Sequence, residues 1–250
     1  MDIDAYRASD QEQARIADLL TLVPSTGHDA LDIGARDGYI SRRLAERFES
    51  VVALDLKRPN INIERVRPIE GDATNLDFPD RSFDLIFCAE VLEHIAPTSL
   101  PQACDELCRV AHGSVVIGVP YRQDLRVGRT TCAACHRTNP PWGHVNSFDE
   151  ARLRALFKPL LWVRSSYVGT TRARTNPISS MLLEFAGNPY GTYDQDEACI
   201  YCGQSVGAPF ERTFAQKIAT RAAFVINRTE QAFLRPRANW LHVLFSATTS

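Results

Sequence analysis

Over the first 120 residues, short apolar runs ending in an acid or a glycine alternate with segments whose apolar positions recur every three or four residues. Ala30-Leu31-Asp32-Ile33 is the first run, Val51-Val52-Ala53-Leu54 the second and Asp84-Leu85-Ile86-Phe87 a later one. Between the first two, residues 39–48 carry Ile40, Leu44 and Phe48 at helical spacing. Strand, turn, helix, strand in that order predicts a doubly wound α/β fold with a mostly parallel sheet. Further strands are predicted at residues 65–69, 114–119, 160–168 and 239–247, and helices at residues 101–110 and 148–157. An opening helix begins at the capping box Ser9-Asp10-Gln11-Glu12 and ends before Pro24. Its stripe of Ile16, Leu19 and Leu20 suits a helix that covers the sheet.

Composition narrows the class. At 250 residues with 44% apolar content, the chain can bury a full core. A formal net charge of -2 gives no global field to recruit nucleic acid. No apolar run approaches the roughly 20 residues that span a bilayer. Met1-Asp2-Ile3-Asp4 shows no basic region followed by an apolar one, so no secretory signal is read there. The expectation is a cytoplasmic protein whose seven cysteines sit in a reducing compartment, where metal binding outranks disulfides.

The turn after the first strand carries the chemistry. Gly34 and Gly38 bound it, and glycine permits positive φ and close backbone approach to a ligand. Seventeen residues past Gly38, the second strand ends in Asp55, placed to accept from ribose hydroxyls. A dinucleotide fingerprint would need glycine at the third and sixth positions from Gly34, where Arg36 and Tyr39 stand. Asp37 would also set a carboxylate where a pyrophosphate belongs. S-adenosylmethionine, a phosphate-free nucleoside with a cationic sulfonium, meets neither objection.

Leu31-Asp32-Ile33-Gly34-Ala35-Arg36-Asp37-Gly38 resembles the first motif of class I (Rossmann-like) S-adenosylmethionine-dependent methyltransferases. Asp55, Gly71-Asp72-Ala73 and the run from Phe83 through Cys88-Ala89-Glu90-Val91-Leu92-Glu93-His94-Ile95 follow in the family's order, in the manner of its small-molecule and sugar branch. That resemblance implies a seven-stranded sheet with a final antiparallel strand. It also implies cofactor contacts from Asp32, Gly34, Ala35, Arg36, Gly38, Asp55, Leu56, Asp72, Ala73, Cys88 and Ala89. The departure is Arg36, where many members carry glycine, and a side chain there is positioned to crowd the cofactor.

Two insertions interrupt the pattern, each with a Cys-x-x-Cys knuckle: Cys132 with Cys135, and Cys199 with Cys202 followed by Gly203. Four thiolates with no open position describe a structural, tetrahedral zinc site. The 63 intervening residues exceed the usual ribbon spacing, and neither knuckle opens a helix after a strand as a redox motif would. His136 and His144 are the substitutes should one thiolate not serve. Both insertions are expected on the cofactor side, with zinc clipping them into a substrate lid. Cys104 and Cys108, four apart on a helix, are read as packing.

Methyl transfer to a hydroxyl needs an oriented acceptor and a base. The candidates are His144, in Gly143-His144-Val145-Asn146-Ser147-Phe148, and His94, four residues after Glu90 and expected to share a helix face with it. The Gly-His-Val-Asn-Ser-Phe stretch is similar to sugar and natural-product methyltransferases. Residues 210–237 form an apolar-striped helix with six basic residues against two acids, read as a solvated helix or as a basic rim for acceptors. No Asn-Pro-Pro-Tyr type motif for flipped bases follows the fourth strand, which argues against a nucleobase target.

The sequence therefore predicts a methyltransferase acting on a hydroxyl of a sugar, glycolipid or secondary metabolite. An RNA or protein methyltransferase, or a non-catalytic S-adenosylmethionine-binding module, is the alternative. The expected organisation is an N-terminal helical segment (1–24), a cofactor-binding core (25–120), a first zinc insertion (121–146), a core helix and strand (147–168), a second zinc insertion with the basic helix (169–237) and a final strand and tail (238–250).

Overall fold

The computed structural model describes residues 7–247. Met1-Asp2-Ile3-Asp4 and the end of the tail lie outside the described residues. In chain order the elements are α1 (Asp10–Leu22), β1 (Gly27–Ile33), α2 (Tyr39–Ala45), β2 (Phe48–Asp55), β3 (Val66–Glu70), β4 (Phe83–Ala89), α3 (Leu100–Val110), β5 (Ala111–Pro120), β6 (Thr130–Thr131) and β7 (Thr138–Asn139). They continue with α4 (Glu150–Leu156), β8 (Leu161–Val168), α5 (Pro177–Phe185), α6 (Phe214–Phe233) and β9 (Trp240–Ser246). The chain divides into two compact units.

The first unit runs from Asp10 to Tyr121 and resumes over Phe148–Gly169 and from Asn239 onward. Its seven-stranded sheet has the order β3-β2-β1-β4-β5-β9-β8. β1 pairs in parallel with both β2 and β4, and β9 runs antiparallel to β5 and to β8. Period-two alternation splits each central strand between two cores. Leu31, Ile33, Ile86, Cys88 and Val115 pack under α3 and α4, where Leu107 and Leu153 are buried. Ala30, Leu85, Phe87 and Val116 face α1 and α2 through Leu19, Leu22 and Leu44. Cys104 and Cys108 belong to the first of these cores, so packing explains them.

Polar ties fix α1 to the far strands. His242 Nδ1 lies 2.6 Å from Asp18 Oδ2, which also accepts from Ser166 Oγ, and Arg164 Nη2 donates to Thr21 O at 2.6 Å. Two expected helices are corrected. The one over residues 39–48 stops at Ala45, because Phe48 is taken into β2 opposite Gly27, where only a missing Cβ leaves room for its ring. No helix follows β4 directly: Glu90 adopts φ 57°, which breaks helical register, and turns carry the chain to α3.

The second unit comprises Arg122–Ser147 and Thr170–Ala238, with the few described residues ahead of α1. The antiparallel pair β6–β7 and the packed helices α5 and α6 are its regular elements. Asn176 caps α5 by accepting from Ser179 N, with Pro177 in the first turn, and Thr213 opens α6 with a full capping box. Contacts across the two insertions make them one body. Asp124 accepts from Arg126 and from Thr175 N, Tyr193 Oη accepts from Thr131 N, and Gly191 packs so close to Arg129 that a Cβ would stand 2.2 Å from its carbonyl.

A Cβ at Gly27 would lie 2.3 Å from Phe48 Cε1. Gly27→Ala is therefore expected to destabilise the fold by about 1–3 kcal/mol through overpacking. Urea unfolding measures this, and an unchanged midpoint would contradict the packing described.

Candidate functional site

In the first unit the parallel register brings the carboxyl ends of β1 to β4 to one edge: Ile33 stands beside Leu54 and Cys88, and Asp55 beside Glu70. At that edge the chain leaves β1 through three left-handed residues, Gly34 (φ 74°), Arg36 (φ 51°) and Gly38 (φ 79°). Gly34 N and Ala35 N both donate to Leu54 O, at 2.8 and 3.1 Å, so the turn is anchored to β2. A Cβ at Gly34 would strike Val91 at 2.4 Å and one at Gly38 would strike Ile61 at 2.7 Å. The Arg36 side chain is exposed, and its backbone holds a conformation that costs a non-glycine residue roughly 1–2 kcal/mol. Glycine would adopt this backbone conformation without that cost.

Asp55 completes the turn. Its Oδ2 accepts from Arg36 N at 2.9 Å and its Oδ1 from Leu56 N at 2.7 Å. Each oxygen keeps a lone pair beyond these bonds, so the carboxylate can still accept from a ribose diol. Leu56 beside it is an exposed apolar side chain, 70% accessible. Asp72 is exposed and holds Thr74 N and Thr74 Oγ1 on Oδ1, both at 2.8 Å, while Ala73 is buried. Cys88 is buried in the core and its thiol is pushed up by desolvation, so its contribution to the edge is backbone. Ala89 is half-buried at the end of β4.

Asp32 lies beneath the turn. It is buried, accepts from Ser41 Oγ at 2.5 Å, and desolvation raises its pKa to about 7 against the favourable Ser41 bond. Its position ties β1 to α2.

Glu90 does not orient His94. Its Oε2 accepts from Trp240 Nε1 at 3.3 Å and its Oε1 lies 3.9 Å from Arg15 Nη1, so the carboxylate turns toward α1 and β9. Arg15 in turn grips the buried Glu12 with bonds of 2.6 and 2.7 Å. This ion pair was legible in outline: Glu12, Arg15, Ile16 and Leu19 share one helix face, which sets two charges on the buried side. Glu93 carried no such signal. It is fully buried, neither carboxylate oxygen has a hydrogen-bond partner, and desolvation followed by Glu90 drives its pKa well up. His94 is exposed by accessible area, yet desolvation and then the Arg36 guanidinium push its imidazole toward the neutral form.

Within the second unit, the two knuckles are copies of one local fold. Cys132 N donates to Arg137 O and Cys199 N to Gln204 O. His136 N and Gly203 N return to the carbonyls of Cys132 and Cys199. His136 (φ 58°) takes the left-handed position that Gly203 (φ 71°) takes in the other knuckle. The four Sγ atoms lie within 4.8 Å of one another, with Cys132 to Cys202 at 3.7 Å and Cys135 to Cys199 at 3.6 Å. Burial opposes a thiolate at Cys199, but the amides of Tyr201 and Cys202 and the Asn139 side chain bring its pKa down to about 6. His136 stacks on Phe210, outside the cluster of sulfurs. His144, also in this unit, is buried with Nδ1 2.6 Å from Gln123 Oε1. A proton held on Nδ1 by that acceptor leaves the ring's basicity at Nε2.

With this geometry in hand, residues 31–117 match the family described as a methyltransferase domain. That match covers about a third of the chain. Among curated relatives, it is 25% identical over 95 residues to a ubiquinone biosynthesis O-methyltransferase of Leptothrix cholodnii, covering 33% of this chain and 40% of that one. It is 34% identical over 96 residues to a malonyl-[acyl-carrier protein] O-methyltransferase of Serratia marcescens, covering 36% and 37%. The chain thus spans about 40% of the length of the curated relatives it matches. The N-methyltransferase NodS of Bradyrhizobium japonicum WM9, solved with S-adenosyl-L-homocysteine, shares the fold at a TM-score of 0.56 and 17% identity over 98% of this chain and 91% of that one. The residues at this edge fit such a cofactor: Asp55 accepts one bond on each oxygen and has acceptor capacity to spare for a ribose diol.

The folded protein holds the Asp32 proton up to about pH 7, whereas the ordinary value is 3.8. Between those values the native state binds more protons than the unfolded chain, so this residue's contribution to stability falls as pH rises. Relative to wild type, Asp32→Asn should gain stability across that window, by roughly 1.4 kcal/mol per pH unit at most. Parallel curves of unfolding free energy against pH would contradict the assignment.

Proposed function

We propose that the chain is an S-adenosylmethionine-dependent methyltransferase that acts on a hydroxyl of a small acceptor, a sugar, a glycolipid or a secondary metabolite. The observation that carries this reading is the convergence of Gly34, Asp55, Asp72 and Ala89 at one sheet edge behind a left-handed turn. The oxygen acceptors named for the ubiquinone and malonyl-carrier relatives favour oxygen over nitrogen. When bound, the sulfonium supplies an electrophilic methyl group. The chain's part is to orient the acceptor and remove its proton.

In this reading Asp55 and Asp72 hold the nucleoside, Leu56 lies against its base, and Gly34, Ala35, Arg36 and Gly38 offer backbone to the amino-acid end. His144 is the general base, its tautomer set by Gln123. His94, held neutral, is a second acceptor of the proton.

We further assign a structural zinc ion to Cys132, Cys135, Cys199 and Cys202. Two sulfurs about 2.3 Å from a tetrahedral ion stand roughly 3.8 Å apart, close to the 3.6 and 3.7 Å found here. A disulfide would bring a pair to about 2.05 Å. The ion's place in the proposal is to hold both insertions as one substrate-recognising lid.

Cys199→Ser should abolish zinc binding, read by atomic absorption, and unfold the insertion unit while α-helical and sheet signals of the core persist. Retention of one zinc per chain would contradict the assignment. His144→Ala should lower the turnover of labelled S-adenosylmethionine on a hydroxyl acceptor by about 10²–10⁴-fold and leave cofactor affinity unchanged. Full activity in that variant would remove His144 from the mechanism.

A further inference from the structure

The second unit presents an apolar and basic face that its own packing does not cover. On α6, Phe214, Ile218 and Val225 recur at spacings of four and seven and are exposed, Phe214 by 77%. Beside this row, Lys217, Arg221 and Arg228 recur at the same spacings and are also exposed. The opposite side of the helix, Ala219, Thr220 and Ala223, is buried, and Ser179 Oγ of α5 donates to Ala223 O there. α5 adds a second exposed row, Ile178, Met181 and Phe185, at helical spacing, with Met181 66% accessible. Between Tyr190 and α6 lies an open groove of about 520 Å³ whose basic lining residues are Arg212, Lys217 and Arg221.

We propose that this α5–α6 face docks onto an anionic phospholipid bilayer, with α6 lying in the plane of the interface. Its apolar row would enter the boundary between headgroups and acyl chains, and its basic row and the groove would meet lipid phosphates. The charge pattern selects this occupant. Within α6 the only acid is Glu230, which accepts from Asn176 Nδ2 at 2.7 Å, so the exposed cations face no acid of their own helix. A second copy seated on the same face would set these like charges against one another. Single-stranded RNA would use the cations and could stack on Phe214 and Phe185, but the other four residues of the two rows, Ile178, Met181, Ile218 and Val225, are aliphatic and offer no stacking surface for bases. Among the described residues no helix is long and apolar enough to cross a membrane, so the contact is peripheral.

The test is sedimentation of the full chain with phosphatidylcholine vesicles and with vesicles that also contain phosphatidylglycerol. Binding to the second and not the first is expected, and it should weaken with salt. Arg221→Gln together with Arg228→Gln should lower partitioning on the order of thirtyfold. Phe214→Ser with Ile218→Ser and Val225→Ser should abolish it, with circular dichroism and metal content unchanged to show that the unit still folds. Absence of vesicle binding, or binding indifferent to both sets of substitutions, overturns the proposal. So does a dimer in light scattering that the apolar substitutions dissolve, or tighter binding to a single-stranded RNA than to anionic vesicles.

Discussion

β1 is hydrogen-bonded on both sides, to β2 and β4, and its side chains feed a core on each face. At its carboxyl end the chain must turn between these two neighbours without climbing over β2. Three left-handed residues within five positions solve that problem, and Leu54 O and the Asp55 carboxylate collect the amides the turn exposes. Everything at the sheet edge depends on this exit. It starts α2, buries Asp32 against Ser41, and leaves the ends of four parallel strands open to one ligand.

The insertions answer a different constraint. Some hundred residues outside the sheet have few regular elements and little core of their own, so they need cross-links. Polar ties such as Asp124 with Thr175 and Tyr193 with Thr131 supply part of the holding, and the paired knuckles bring four sulfurs to metal-binding separation. The first unit carries the seven-stranded sheet, and the second carries the four-cysteine cluster, His144 and the basic-apolar face of α6. Specificity for an acceptor is thus sought in residues outside the 31–117 match.

Much of the first unit was legible because strand ends announce themselves: Asp55, Asp72 and the Gly34–Gly38 turn pair an apolar run with residues that only a turn or a polar contact tolerates. The paired Cys-x-x-Cys spacing was legible for the same reason, since thiolate chemistry leaves little freedom in the loop. What escaped was decided by tertiary contacts. Phe48 looks helical until Gly27 offers its ring a place in the sheet. Residues 90–95 look helical until Glu90 turns left-handed and its carboxylate goes to Trp240 and Arg15. Glu93 gives no local sign that it will be buried unpartnered. α5 was missed although Asn176-Pro177 is a start signal, because at nine residues it is too short for its apolar period to stand out.

The central claim is that the carboxyl edge of β1 to β4 holds an S-adenosyl nucleoside. Calorimetric titration of the zinc-analysed protein with S-adenosylhomocysteine, beside NAD and beside the Asp55→Ala variant, tests it most directly. The account predicts binding of the first ligand, none of NAD, and a loss of about 1–3 kcal/mol in the variant. A folded protein that ignores S-adenosylhomocysteine, or binds it equally well without the Asp55 carboxylate, would contradict it.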